Sequence, residues 1–110
     1  MIQITIYKNK KHEYMGFDVD GHAGFDDSGH DIVCAAVSAL VINTINSVER
    51  FTSDKTSSVS DEEKGRVEFR FLNSPSQDAE LLLKSMILGV EEIENSREYD
   101  SYIDIIFKEV

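Results

Sequence analysis

The sequence predicts an α+β domain: a mainly antiparallel sheet of four to five strands with two helices packed on one face, in the order β-β-α-β-β-α-β. Three observations carry this. Apolar residues alternate with polar ones at Ile2, Ile4 and Ile6, at Val67, Phe69 and Phe71, and at Ile103, Ile105 and Phe107, the period of a half-buried strand. Two longer stretches, from Ile32 and from Pro75, carry apolar residues at helical spacing. Strand patterns flank both, and a sheet with the two helices on one face is the simplest arrangement that covers them.

The first strand begins at Ile2 and ends in the polar turn Lys8-Asn9-Lys10-Lys11. A second is expected from about His12 to Asp20, with Phe17 and Val19 on one face and Asp18 and Asp20 on the other. Gly21, Gly24 and Gly29, with the turn-forming run Asp26-Asp27-Ser28, then make a loop. Asp31 is a good N-cap, so the first helix is expected from Ile32 to about Val48. Its first three turns are apolar on nearly every side. Such a helix needs cover from the sheet and again from a second helix or a partner subunit.

Between Thr52 and Gly65 the only large apolar residue is Val59. A weak edge strand at Lys55 to Ser60 competes here with one long loop, and the strand is preferred because long structureless loops are uncommon in compact domains. Arg66 to Leu72 is the next strand. Ser74-Pro75-Ser76-Gln77 reads as a helix start, with Ser74 at the N-cap, Pro75 first in the helix and Gln77 closing a capping box. That helix runs to about Asn95 on a core stripe of Ala79, Leu82, Leu83, Met86, Val90 and Ile93, widened by Leu81, Ile87 and Leu88. Glu91, Glu92 and Glu94 lie at its C-terminal end, where the helix dipole disfavours anions. The last strand, Tyr102 to Lys108, is expected to bury Ile103, Ile105 and Phe107.

At 110 residues this is one domain, spanning 1–110. Its formal net charge of −10 argues against direct nucleic-acid binding, which needs clustered Lys and Arg, and suits a basic partner. The N-terminus lacks the basic start and apolar run of a signal peptide, and the apolar run Ile32 to Ile42 is shorter than the about 20 residues of a membrane-spanning helix. A single cysteine excludes an intrachain disulfide and is ordinary in a reducing compartment. A soluble, cytoplasmic protein is expected.

The chemically distinctive residues cluster between Gly21 and Ser38. With Asp31 as N-cap, Cys34 falls in the first helical turn, where unpaired N–H groups and the helix dipole favour a thiolate. A base would complete a nucleophile, and His22 stands at the end of the second strand, one loop away. His30 is the rival base; it lies just outside the expected helix start and faces solvent more naturally. His12 belongs to a surface turn. Asp31 has two compatible roles, capping the helix and orienting an imidazolium. Ser38 lies one turn after Cys34, either bonded near the sulfur or back to the carbonyl of Cys34. A cysteine in Ile-Val-Cys-Ala-Ala-Val is also, on general habit, a small buried hydrophobe. His22, His30, Asp31 and Cys34 are all possible zinc ligands, but their spacing matches none of the usual pairs, so no metal and no cofactor is expected.

The run Gly21-His22-Ala23, then Gly29, then Asp31-Ile32-Val33-Cys34-Ala35 with Ser38 a turn later resembles the signature of the ribosomal-processing cysteine proteases (Prp), and the similarity extends over nearly the whole chain. The resemblance implies a cytoplasmic endopeptidase, a homodimer, that removes a short N-terminal extension from the twenty-seventh protein of the large ribosomal subunit. It implies Cys34 as nucleophile and His22 as base; Gly21, Asp31 and Ser38 are expected in support. It further implies an extended peptide substrate with aromatic residues beside the cleaved bond, and hence an apolar groove near Cys34. The mechanism expected is hydrolysis through a thioester, with backbone N–H groups at the helix start stabilising the oxyanion and the 23–30 loop closing over substrate. Two alternatives stand beside it: a non-enzymatic interaction module of ribosome assembly with Cys34 in the core, and acyl transfer to an acceptor other than water.

Overall fold

The computed structural model of the protein describes residues 1–21, 28–61 and 63–110, and residues 28–30 by their backbone alone. The elements follow the expected order: β1 (Ile2–Lys8), β2 (Tyr14–Asp20), α1 (Ser28–Phe51), β3 (Thr56–Asp61), β4 (Arg66–Phe71), α2 (Gln77–Glu94) and β5 (Ile103–Glu109), the last preceded by a 3-10 turn at Asp100–Tyr102. The strands form one five-stranded sheet in the order β3-β4-β2-β1-β5. All its pairings are antiparallel except β1 with β5, which is parallel.

Alternation decides the layers. Ile4, Val19 and Val67 lie side by side across β1, β2 and β4, as do Ile6, Phe17 and Phe69, and these rows face the helices. Phe17 stacks on Phe69 at 5.1 Å between ring centres. The rows of the opposite parity hold Gln3, Asp20 and Arg66, then Thr5, Asp18 and Glu68, and face away from the helices. From α1 come Val33, Val37, Val41 and Val48, and from α2 Ala79, Leu83, Met86, Ile87 and Val90, to complete the core. The helices approach closely where Gly89 meets Leu40: a Cβ on Gly89 would lie 2.9 Å from a Leu40 methyl.

Several boundaries differ from expectation, each for a physical reason. β2 starts at Tyr14 because residues 9–13 form a turn in which the Asn9 side chain accepts from the N–H groups of Lys11 and Glu13 and His12 takes φ 65°. Helix α1 starts at Ser28 rather than Ile32, so Asp31 is an acidic residue inside the first turn and not the N-cap; one glycine in a first turn costs only about 1 kcal/mol. The same helix runs on to Phe51, with Val48 fully buried and the Thr52 hydroxyl donating to the Val48 carbonyl at its end.

At α2 the N-cap is Ser76, not Ser74, and no Ser74–Gln77 capping box forms. The Ser76 hydroxyl accepts from Ala79 N–H and donates to Asp54, whose carboxylate also accepts from Ser76 N–H at 2.7 Å. Leu81 and Leu88 stay exposed rather than widening the core stripe. Glu94, unfavourable for the helix dipole, reaches across to accept from the Ile105 N–H at 2.8 Å, and Glu80 does the same for Tyr14 N–H at 3.2 Å. Phe107 is 48% exposed, not buried, on β5, an edge strand with a neighbour on one side only.

Helix α1 is long and apolar enough over Asp31–Phe51 to cross a membrane by length and composition alone. Its valine face nevertheless lies in the core. One flank meets α2, while Ile32, Ala35, Ala39 and Ile42 form an exposed stripe, so the second cover predicted for this helix is only partly supplied within the chain.

Candidate active site

A five-stranded sheet at about 4.8 Å per strand is roughly 24 Å wide, and two helices packed about 10 Å apart cover roughly 20 Å of it. α2 lies over the β5 side and α1 beside it, so the shortfall comes at β3. There the sequence places serines. Ser58 and Ser60 pair with Phe69 and Val67 and share their helix-facing side, yet both are exposed. The result is a groove of about 480 Å³ between α1 and the β3–β4 margin. Its α1 wall is Val37, Val41, Ile42 and Ile45, its floor Val19 and Val67, and its far wall Ser58, Ser60 and Asp61.

Cys34 opens into this groove, with Ser38 one turn further along the same wall and Gly21 beside them. Of the residues singled out from the sequence, these three are therefore brought together. The predicted base, His22, and the loop to Asp27 lie outside the described residues, and so does any pairing of His22 with Cys34. His30 is within the first turn of α1 instead of preceding the helix.

Two sequence expectations about the sulfur are corrected. Cys34 is the seventh residue of α1, in the second turn, so its own N–H belongs to the intrahelical ladder and is not one of the unpaired groups available to an oxyanion. Nor is its thiolate favoured. Partial burial pushes the thiol above its ordinary value, and the Asp31 carboxylate adds to this; the charge at the N-terminus opposes them and does not prevail. With these influences among the described residues, chemistry at the sulfur calls for a base to take its proton.

The end of β2 that leads to the site is held from both faces. On the groove side, Gly21 packs against β1: a Cβ there would lie 2.5 Å from Ile2 Cα and 2.9 Å from the Met1 carbonyl oxygen. The opposite face carries an ion cluster. Arg66 pairs with Asp20 at 3.0 Å, Glu68 at 3.5 Å and Asp18 at 3.7 Å. Asp18 also receives Arg70 at 2.8 Å and the Tyr7 hydroxyl at 2.7 Å, while the Arg70 guanidinium lies 4.2 Å from the Tyr7 ring centre. Burial alone would raise the Asp18 carboxyl, but the hydrogen bonds from Arg70 and Tyr7 and the charges of Arg70 and Arg66 outweigh it and hold Asp18 below the usual carboxylate range. Tyr7 moves the opposite way, raised first by its hydrogen bond to Asp18 and then by burial.

This cluster and the serine wall were not singled out from sequence. Both leave a signal there: charged residues alternate with the core positions of β2 and β4, and serines occupy positions of β3 that would face the core if α1 covered them.

The model of the cysteine protease Prp family matches residues 1–104. The chain belongs to the Prp family of cysteine proteases. The ribosomal processing cysteine protease Prp of Staphylococcus aureus is 31% identical over 98% of this chain and all of its own, and that of Bacillus subtilis 35% identical over 86% of this chain and 88% of its own. The crystal structure of the Staphylococcus aureus protease with a substrate peptide superposes with a TM-score of 0.90 at 30% identity, covering 98% of this chain and 100% of that one. A second structure of it carries a covalently linked product peptide and gives a TM-score of 0.86 at 30% identity. The chain therefore has the fold of this protease as well as its sequence pattern.

Proposed function

We propose that this protease removes the N-terminal extension of a basic ribosomal protein, the twenty-seventh of the large subunit by resemblance, with Cys34 as nucleophile and His22 as base. The observation that carries the reading is that the chain's only cysteine opens into a groove fit for an extended peptide. The relatives are named for ribosomal processing, and one of them has been crystallised with a substrate peptide and with a covalently linked product peptide. A covalent product is what a thioester enzyme forms.

In this mechanism His22 takes the Cys34 proton, the sulfur attacks the scissile carbonyl, and the imidazolium gives its proton to the departing amine. Water then releases the acyl half through the same base. No cofactor takes part. The enzyme acts in the cytoplasm as a homodimer, for which the exposed Ile32, Ala35, Ala39 and Ile42 stripe of α1 and Leu81 and Leu88 of α2 offer apolar surface.

Mass spectrometry of the precursor ribosomal protein incubated with wild type, Cys34→Ala and His22→Ala tests the reading. Wild type is expected to cut one bond, with each variant slower by at least ~1000-fold. Cleavage that survives Cys34→Ala would overturn the assignment. No cleavage by wild type, with Cys34 also inert to iodoacetamide in the folded protein, would favour an assembly module instead.

A further inference from the structure

Strand β5 is an edge of the sheet and, Lys108 apart, lacks the features that keep an edge from pairing with another chain. It runs for 7 residues without proline or glycine, and its register with β1 is unshifted from Ile103 to Glu109. One bond gives its polarity. The Val110 N–H donates to the Lys8 carbonyl of β1, and successive N–H groups of a strand point to opposite sides, so Ile103, Ile105, Phe107 and Glu109 present their N–H and C=O groups to the open edge. Within that row the Ile105 N–H is already taken, by the Glu94 carboxylate at 2.8 Å. Glu94 ends α2, where the helix dipole disfavours an anion, so helix stability does not account for a glutamate there.

The side chains of β5 complement a second copy of themselves. When two β5 strands lie antiparallel with Ile106 opposite Ile106, Ile105 falls opposite Phe107 in a hydrogen-bonded pair, and Asp104 falls opposite Lys108 on the sheet face away from the helices. The two-fold axis repeats each pair. Opposite charges and an apolar–aromatic pair directly across an antiparallel ladder both stabilise it. Moving the register by two residues sets Asp104 or Lys108 against Ile106 instead, so charge selects one register.

We propose that β5 is a self-association edge for a second copy of this chain, and that Glu94 holds it shut by occupying the Ile105 N–H. In the selected register that N–H would donate to the Phe107 carbonyl of the second copy, and the Glu94 bond stands in its place. Two closed edges also bring two carboxylates to one seam, where they repel. With Glu94 withdrawn, one sheet continues through both copies. The inference does not depend on the protease reading, and it uses a strand edge rather than the exposed stripes of the helices.

The test is the mass of the full chain in solution, by sedimentation over a wide concentration range. Glu94→Ala, which removes an anion from the wrong end of a helix dipole and leaves a good helix former, keeps the fold and is expected to double the mass relative to wild type. Glu94→Gln retains a side-chain carbonyl that accepts from Ile105 N–H, and should stay at the wild-type mass. Adding Asp104→Lys to Glu94→Ala sets lysine against lysine and should undo the doubling; adding Lys108→Asp as well restores opposite pairs and should bring it back. That last variant separates specific pairing from aggregation of a damaged fold, since aggregation has no reason to follow a charge exchange. A Glu94→Ala chain at the wild-type mass throughout, a doubling by Glu94→Gln, or an association indifferent to the Asp104 and Lys108 changes would overturn the proposal.

Discussion

Asp31 stands three residues before Cys34 on α1, close enough for its carboxylate to oppose ionisation of the thiol, with burial as the larger cause. An anion beside a thiol disfavours the thiolate, so removing it lowers the thiol's pKa. Asp31→Asn is therefore expected to speed alkylation of Cys34 at neutral pH a few-fold and to move its rate-against-pH curve to lower pH. An unchanged or slower rate would show that burial alone sets the thiol. Gly21 gives a second residue-scale expectation. Gly21→Ala forces a methyl onto backbone atoms of Met1 and Ile2, and overpacking of this kind costs about 1–3 kcal/mol. Thermal unfolding should show the loss, and a Tm equal to wild type would mean that β1 yields there. The candidate sulfur is legible in the sequence, since there is one cysteine and it follows Asp31-Ile32-Val33. Its electrostatics are not, because the larger cause, partial burial of the sulfur, depends on packing that local sequence does not show.

At the scale of elements, Ser74-Pro75-Ser76-Gln77 contains two serines able to start a helix, and local pattern favours the first. Asp54, twenty-two residues away, chooses the second by taking the N–H and hydroxyl of Ser76. Ser76→Ala is thus expected to cost about 1–2 kcal/mol of stability and Ser74→Ala about 0.5 kcal/mol or less, measured by chemical denaturation. The opposite ranking would restore the local reading. Asp54 supplies the pH dependence of this cap. Burial raises its carboxyl, but hydrogen bonds from Ser76 and Thr52 prevail and leave it below its ordinary value. A depressed folded value means that its contribution is present above the unfolded value and lost as pH falls through the folded one. The gap between wild type and Ser76→Ala should accordingly shrink in acid. Strand alternation needed no such long-range partner: β1, β4 and the helix-facing rows of β2 follow from period alone. Edge position is not readable from alternation, so the pattern alone places Phe107 in the core and prefers β3 only narrowly to a loop.

For the whole molecule, the count of elements has a functional result: two helices do not cover five strands, and the uncovered margin is where Cys34 opens. Charge acts over the same scale. On the proposed function, a formal net charge of −10 attracts a basic precursor over distances set by the Debye length, about 30 Å at 0.01 M salt and about 3 Å at 1 M. Steering of this kind raises the encounter rate and vanishes with screening, whereas contacts inside the groove are short-range and mostly apolar. The two contributions can be separated by salt. With the full-length basic precursor, kcat/KM should fall several-fold from low to high salt, mainly through KM. An uncharged peptide spanning the same bond should show little change, since it meets only the groove. Equal salt dependence for the two substrates would mean that the acidity of the surface serves solubility and takes no part in choosing the substrate.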